Sequence, residues 1–137
     1  MRILRSNWQP GPSTPDTASV HVSVTDFTAS RVADLPGIAR AGYRLRGLWP
    51  ELPGAVGVWL WSAPAQRRVG SVSIWSDETA LRGFVALPEH REIMRRYRDR
   101  GTIDAQSWDG PYDLRAIWGK AHRLLLDSTC VKLGDRP

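Results

Sequence analysis

Three runs of strand-type sequence constrain this chain more than anything else in it: VHVSVTDF at 20–27, GAVGVWLWS at 54–62 and RVGSVSIW at 68–75. In the first, Val20, Val22 and Val24 alternate with His21, Ser23 and Thr25, the period-two pattern of a strand with one buried face. The second and third runs are separated by a short stretch around Pro64, which predicts a hairpin with the proline outside its ladder. Within the third, Val69, Ser71, Ser73 and Trp75 share one face and Gly70, Val72 and Ile74 the other, so one face carries the polar groups.

Helical spacing fills the gaps between these runs. Asp34 stands where an N-cap is needed and Pro36 just inside a helix start, after which Ile38, Gly42, Leu45, Trp49 and Leu52 recur every three to four residues, ending near 50–54. Ser76, Asp77 and Glu78 supply a cap and first-turn acids for a second helical piece with Leu81, Phe84 and Val85. It breaks near Pro88, and Glu89 to Arg100 continues as helix until Gly101. A last strand is expected over Thr102 to Trp108, with Asp109, Gly110 and Pro111 as a turn into a terminal helix carrying Leu114, Ile117, Trp118, Ala121 and Leu125.

The resulting order, β-α-β-β-α-β plus a C-terminal helix, predicts an α+β, ferredoxin-like antiparallel sheet with its helices on one face. The other face would then need cover, and a second copy packed sheet against sheet supplies it, giving a homodimeric α/β barrel. Residues 1–19, with Pro10, Gly11, Pro12 and Pro15, read as a flexible leader, 20–127 as a single domain and 128–137 as a loose tail.

A length of 137 residues suits one core. No apolar run is long enough for a membrane helix and no secretory signal pattern is present, so a cytoplasmic protein is expected. Cys130 is the only cysteine, which excludes an intramolecular disulfide and a multi-cysteine metal site. The net charge of +5 raises the question of nucleic acid. Its densest basic run, Arg91 to Arg100, is interrupted by Glu92 and Asp99 and reads as a solvated helix face. The third strand also lacks the Gly-Phe-Gly-Phe run of an RNA-recognition sheet. No phosphate loop, GxSxG elbow or HExxH pair occurs. His21 and His90 lack a spacing that would make them metal ligands, and His122 reads as a surface residue, so no metal is expected.

The segments PGAVGVWLWS, GSVSIWSDETALRGF and PEHREIM resemble the antibiotic-biosynthesis-monooxygenase-like group of dimeric α/β-barrel proteins. In that group a strand ending in Trp is followed by a Ser/Asp/Glu cap, a helix with an inward Phe or Leu and a His/Arg segment. Trp75, Ser76 to Glu78, Phe84 and His90-Arg91 match this rhythm. The resemblance implies a monooxygenase without cofactor, acting on a small aromatic or polycyclic, polyketide-type metabolite. Cyclisation, isomerisation and non-catalytic ligand binding are alternatives on the same fold. Haem degradation is disfavoured, since that branch uses an Asn on the first strand and VHVSVTDF has none.

His90, Met94 and Tyr97 fall on one side of their helix. His90 is the expected general base, Arg91 a cation for a developing oxyanion and Tyr97 a third catalytic group. Tyr43 and Arg46 on the first helix, Ser73 and Trp75 on the third strand, and Phe84, Met94 and Trp118 are expected to bind the ligand. Trp59 and Trp61 share a strand face and either form an aromatic wall or fill the dimer interface.

Overall fold

The computed structural model describes residues 1–15 and 19–134, with side chains as far as Ser128. The chain runs β1 (Leu4–Arg5), β2 (Gln9–Pro10), β3 (Ser19–Ala29), α1 (Leu35–Arg46), β4 (Ala55–Ala63), β5 (Arg68–Trp75), α2 (Glu78–Val85), α3 (Pro88–Tyr97), β6 (Gly101–Pro111) and α4 (Leu114–Gly134). The spatial order β4-β5-β3-β6, antiparallel throughout, is the expected ferredoxin-like sheet.

Helix boundaries follow local chemistry. The Asp77 carboxylate accepts the Ala80 amide at 2.8 Å and starts α2, and Pro88 separates α2 from α3. Asp34 precedes α1 as expected but makes no capping bond; its carboxylate instead takes the Arg100 guanidinium at 3.1 Å. Strand β6 outlasts the expected one because β3 offers partners as far as Ser19, opposite Pro111. Asp109 to Pro111 are therefore strand, and the turn falls at Tyr112 and Asp113, where Asp113 caps the Ala116 amide at 3.1 Å.

Two expectations are overturned. Helices α1 to α3 cover one sheet face, but α4 packs on the opposite one, where Ile117, Ala121 and Leu125 bury against Val20, Val22, Val24, Val72 and Ile74. Full burial of an Ile or Leu side chain contributes about 1.5–3 kcal/mol, enough to hold such a helix down. The bare face that argued for a second copy is thus covered within one chain.

The segment read as a flexible leader is also placed, for β1 and β2 pair along β4. Ser6 and Gly11 amides donate to Leu60 and Val56 carbonyls at 2.8 and 2.9 Å. Trp8 lies over Gly57, where any Cβ would collide with the indole, and Arg5 sits between the rings of Trp59 and Trp118 at 5.0 and 4.7 Å. The expected loose tail continues α4 as helix to Gly134, and the Cys130 side chain lies outside the described residues.

Beneath α4 lies a buried ion pair. The Arg68 guanidinium donates twice to the Asp26 carboxylate and once to the Leu125 carbonyl, with both side chains at most 5% exposed. Removing one partner of such a pair leaves the other charged and buried. Asp26→Ala is expected to lower the unfolding free energy by about 3–5 kcal/mol, measured by urea denaturation.

Candidate functional site

The sheet face beneath α1 to α3 is lined with hydroxyls. Strand register sets Ser23 opposite Ser73 and Thr25 opposite Ser71. Thr25 and Ser71 hydroxyls bond each other at 2.9 Å, and Ser73 accepts the Trp75 indole N–H at 2.9 Å. A face that satisfies itself gives the helices little apolar surface to settle on. They gather instead around Trp49, Trp75 and Phe84, whose ring centroids lie 4.9 to 5.3 Å apart. Between sheet and helices remains a cavity of about 1550 Å³.

Nine of the expected site residues line this cavity: Tyr43, Arg46, Trp61, Ser73, Phe84, His90, Arg91, Met94 and Tyr97. Tyr43 is 57% exposed and stands at the margin with the Arg46 guanidinium over its ring. The Tyr97 hydroxyl lies close against Gly37 of α1, where a Cβ would come within 2.7 Å of it. Trp75 does not line the cavity; it is fully buried behind Ser73 and Phe84.

Trp59 and Trp118 belong to the other face altogether, 5.7 Å apart beside Trp8. Trp61 borders the cavity but packs in that same opposite core, its indole donating to the Thr25 carbonyl at 3.1 Å. Alternation along β4 explains this, since Trp59 and Trp61 point away from Val58 and Leu60. Trp59, Trp61 and Trp118 were expected at the ligand site, the first two alternatively at a dimer interface, yet with Trp8 and Trp108 they build the core under α4.

Sequence reasoning missed Trp49 as a site residue. It reads as one more apolar position in a helical stripe, but it sits in a turn after α1 and lines the cavity. Its indole nitrogen is buried without a hydrogen-bond partner among the described residues, as are Arg46 Nε and His90 Nδ1. The three side chains that carry these nitrogens all line the same cavity, and an unpaired buried polar atom costs roughly 1–3 kcal/mol.

His90 packs edge-on against Phe84, centroids 4.9 Å apart. Burial pushes its pKa below the ordinary histidine value of 6.5, and a backbone interaction with Val85 works the other way. The neutral ring, able to accept a proton, is therefore the favoured form. Among the described residues no group of metal-ligating side chains gathers, and no helix is long and apolar enough to cross a membrane.

No family model matches the chain, and no curated protein matches it. Solved structures do. SnoaB, a cofactor-independent oxygenase from Streptomyces nogalater, superposes with a TM-score of 0.52 at 19% identity over 67% of this chain and 92% of its own. A ferredoxin-fold protein from Listeria monocytogenes, related to antibiotic biosynthesis monooxygenases, gives 0.55 at 19% over 67% and 57%. A conserved protein from Methanosarcina mazei gives 0.59 at 10% over 66% and 92%. At these identities the likeness establishes the fold: ferredoxin-like α+β, as in antibiotic-biosynthesis-monooxygenase-like proteins.

The direction of the His90 shift has a measurable consequence. With the folded pKa below the unfolded one, the neutral ring's contribution to stability is fully present above 6.5 and is lost as pH falls through the folded value. Thermal midpoints followed over roughly pH 5–8 should therefore drop more steeply toward acid in the native protein than in His90→Gln. Equal slopes would mean that the ring is not desolvated.

Proposed function

We propose that this protein is a cofactor-independent oxygenase acting on a small, hydroxylated polycyclic aromatic compound held between the sheet and α1 to α3. The observation that carries this reading is the largely apolar cavity lined by Trp49, Arg46 and His90, each of which holds a buried nitrogen without a partner among the described residues. An apolar ligand with a few oxygens fits such a lining, and its apolar body would displace water from the cavity.

The chemistry asks little of the protein. His90, kept neutral by burial, takes a proton from the activated carbon of an anthrone-type ligand. The carbanion passes one electron to dioxygen, and superoxide recombines with the ligand radical to form a C–O bond. Loss of water then converts the methylene to a carbonyl, one dioxygen being consumed for each quinone and water formed. Arg91, which lines the same cavity, stands as a fixed cation for the oxygen that gains charge, and Tyr97 holds the α1 end of the pocket. SnoaB, a cofactor-independent oxygenase of the same fold, supports the reaction class.

Anthrone titrated into the protein should quench tryptophan fluorescence saturably and insensitively to salt, and oxygen uptake should follow. His90→Ala is expected to cut turnover by about a hundredfold or more while binding persists. Binding without any oxygen uptake would reduce the protein to a carrier of such ligands.

We place a second copy of the chain in this reading as well, on a ground other than a bare sheet face. Strand β6 is an 11-residue edge strand, mostly exposed on both faces, with Ile103 49% exposed. Such edges are ordinarily covered or blunted. Sedimentation should report a dimer, and Ala105→Pro, which blocks further pairing along this edge, should shift it toward monomer; a monomeric native protein removes the dimer from the proposal.

A further inference from the structure

One buried titratable side chain has no part in the site described so far. His21 is 4% exposed and stands on the helix-side face of β3, opposite Asp109 of β6 and Trp75 of β5. Side chains paired across antiparallel strands lie within reach of each other, and His21 Nδ1 is 2.8 Å from the Asp109 carboxylate. Its other ring nitrogen, Nε2, is buried with no hydrogen-bond partner among the described residues.

His21 also lines a smaller cavity of about 480 Å³. Leu81, Val85, Arg91 and Ser107 line both this space and the large one, so the two adjoin. A neutral imidazole has one N–H, and an ionised carboxylate only accepts. In the tautomer with its hydrogen on Nδ1, the ring donates to the Asp109 carboxylate and the lone pair lies on Nε2, which is buried without a partner among the described residues. This pairing of a base with an orienting carboxylate is the arrangement that proton transfer requires.

We propose that His21, positioned by Asp109, is a second proton acceptor, taking the hydroxyl proton of a polycyclic ligand whose far ring extends from the large cavity into the smaller one. The inference rests on the oxygenase reading and narrows its substrate class to compounds with a ring hydroxyl remote from the carbon that meets His90. In the step the ligand O–H bond breaks, an N–H bond forms at Nε2, and the electron pair stays on oxygen as a phenolate. The charge gained by the ring falls beside Asp109. The other charged groups lining this cavity are Arg91, Arg82 and Glu78, of which Arg82 and Glu78 pair at 2.9 Å, and the two arginines would favour the phenolate. A phenolate enriches the ring system that must give an electron to dioxygen. Asp109 is a positioning residue, and its carboxylate is 73% exposed, so it is replaceable without disturbing the core.

The test uses a dihydroxyanthrone and unsubstituted anthrone as probes, under argon so that no oxygen is consumed. The visible spectrum of the bound dihydroxy probe, followed against pH, should show its hydroxyl ionising at lower pH than in water. His21→Gln and Asp109→Asn should move that ionisation back toward the free value and weaken binding of the ionised probe by roughly ten- to a hundredfold. Asp109→Glu should restore most of it, and affinity for anthrone should stay unchanged throughout. Nitrogen-15 spectra of the native protein should show His21 protonated at Nδ1, with that preference lost in Asp109→Asn. If both probes bind and ionisation ignores His21 and Asp109, the dyad is wrong and the oxygenase reading stands; if neither probe binds, both fall.

Discussion

The pairing of β3 on both of its edges is the constraint on which the rest depends. Flanked by β5 and β6, it is interior to the sheet, and its strict alternation gives the two faces opposite characters. Val20, Val22 and Val24 make one face apolar as far as Asp26, and α4 closes on it. His21, Ser23 and Thr25 make the other face polar, with Ser71 and Ser73 completing the stripe from β5. Thr25 and Ser71 hydroxyls bond each other and Ser73 bonds the Trp75 indole and the Ser23 carbonyl, so this face offers the helices little apolar surface. The cavity follows from this asymmetry, as the space left where α1 to α3 are anchored by an aromatic cluster at one end and stand off the hydroxyl stripe.

The apolar face is closed by elements drawn from both ends of the chain. Arg68 ties Asp26, the Leu125 carbonyl and Met1 sulfur together, so strand, terminal helix and N-terminal residues meet at one buried charge. Arg5 between Trp59 and Trp118 repeats the theme nearer the surface. A buried ion pair is a poor source of net stability. Its effect here is to fix register, since a slip of one residue in β5 would bring Val69 to the apolar face and strand Arg68 on the hydroxyl side.

Much of the fold was legible because the strands obey their period and the caps their chemistry. Val69, Ser71, Ser73 and Trp75 share a face as read, and Asp77 caps α2 as read. What could not be read was which layer each apolar stripe would join. Ile117, Ala121 and Leu125 announce a helix with one buried side, but nothing in their spacing says which sheet face receives it. The proline-rich N-terminus was misjudged because local composition hides a long-range partner: the edge of β4, with Gly57 bare enough to accept Trp8. Among the candidate site residues, His90, Met94 and Tyr97 share a side of α3 and line the cavity, whereas Trp118 on α4 lies on the other face. The tryptophans came out poorly, since an indole serves core and pocket alike, and only strand parity separates Trp59 from Val58.

The two histidines show how the same fold can set a side chain's chemistry by opposite means. His90 lies on a helix over the cavity, packed against Phe84, and burial alone disfavours its charge. His21 lies in a strand, where register supplies a carboxylate that no helix partner could guarantee. One ring is held neutral by its surroundings, and the other is oriented by a neighbouring carboxylate. Both stand on the polar side of β3, His90 beside the large cavity and His21 beside the smaller one, and they carry the only two buried histidine nitrogens left unpaired among the described residues.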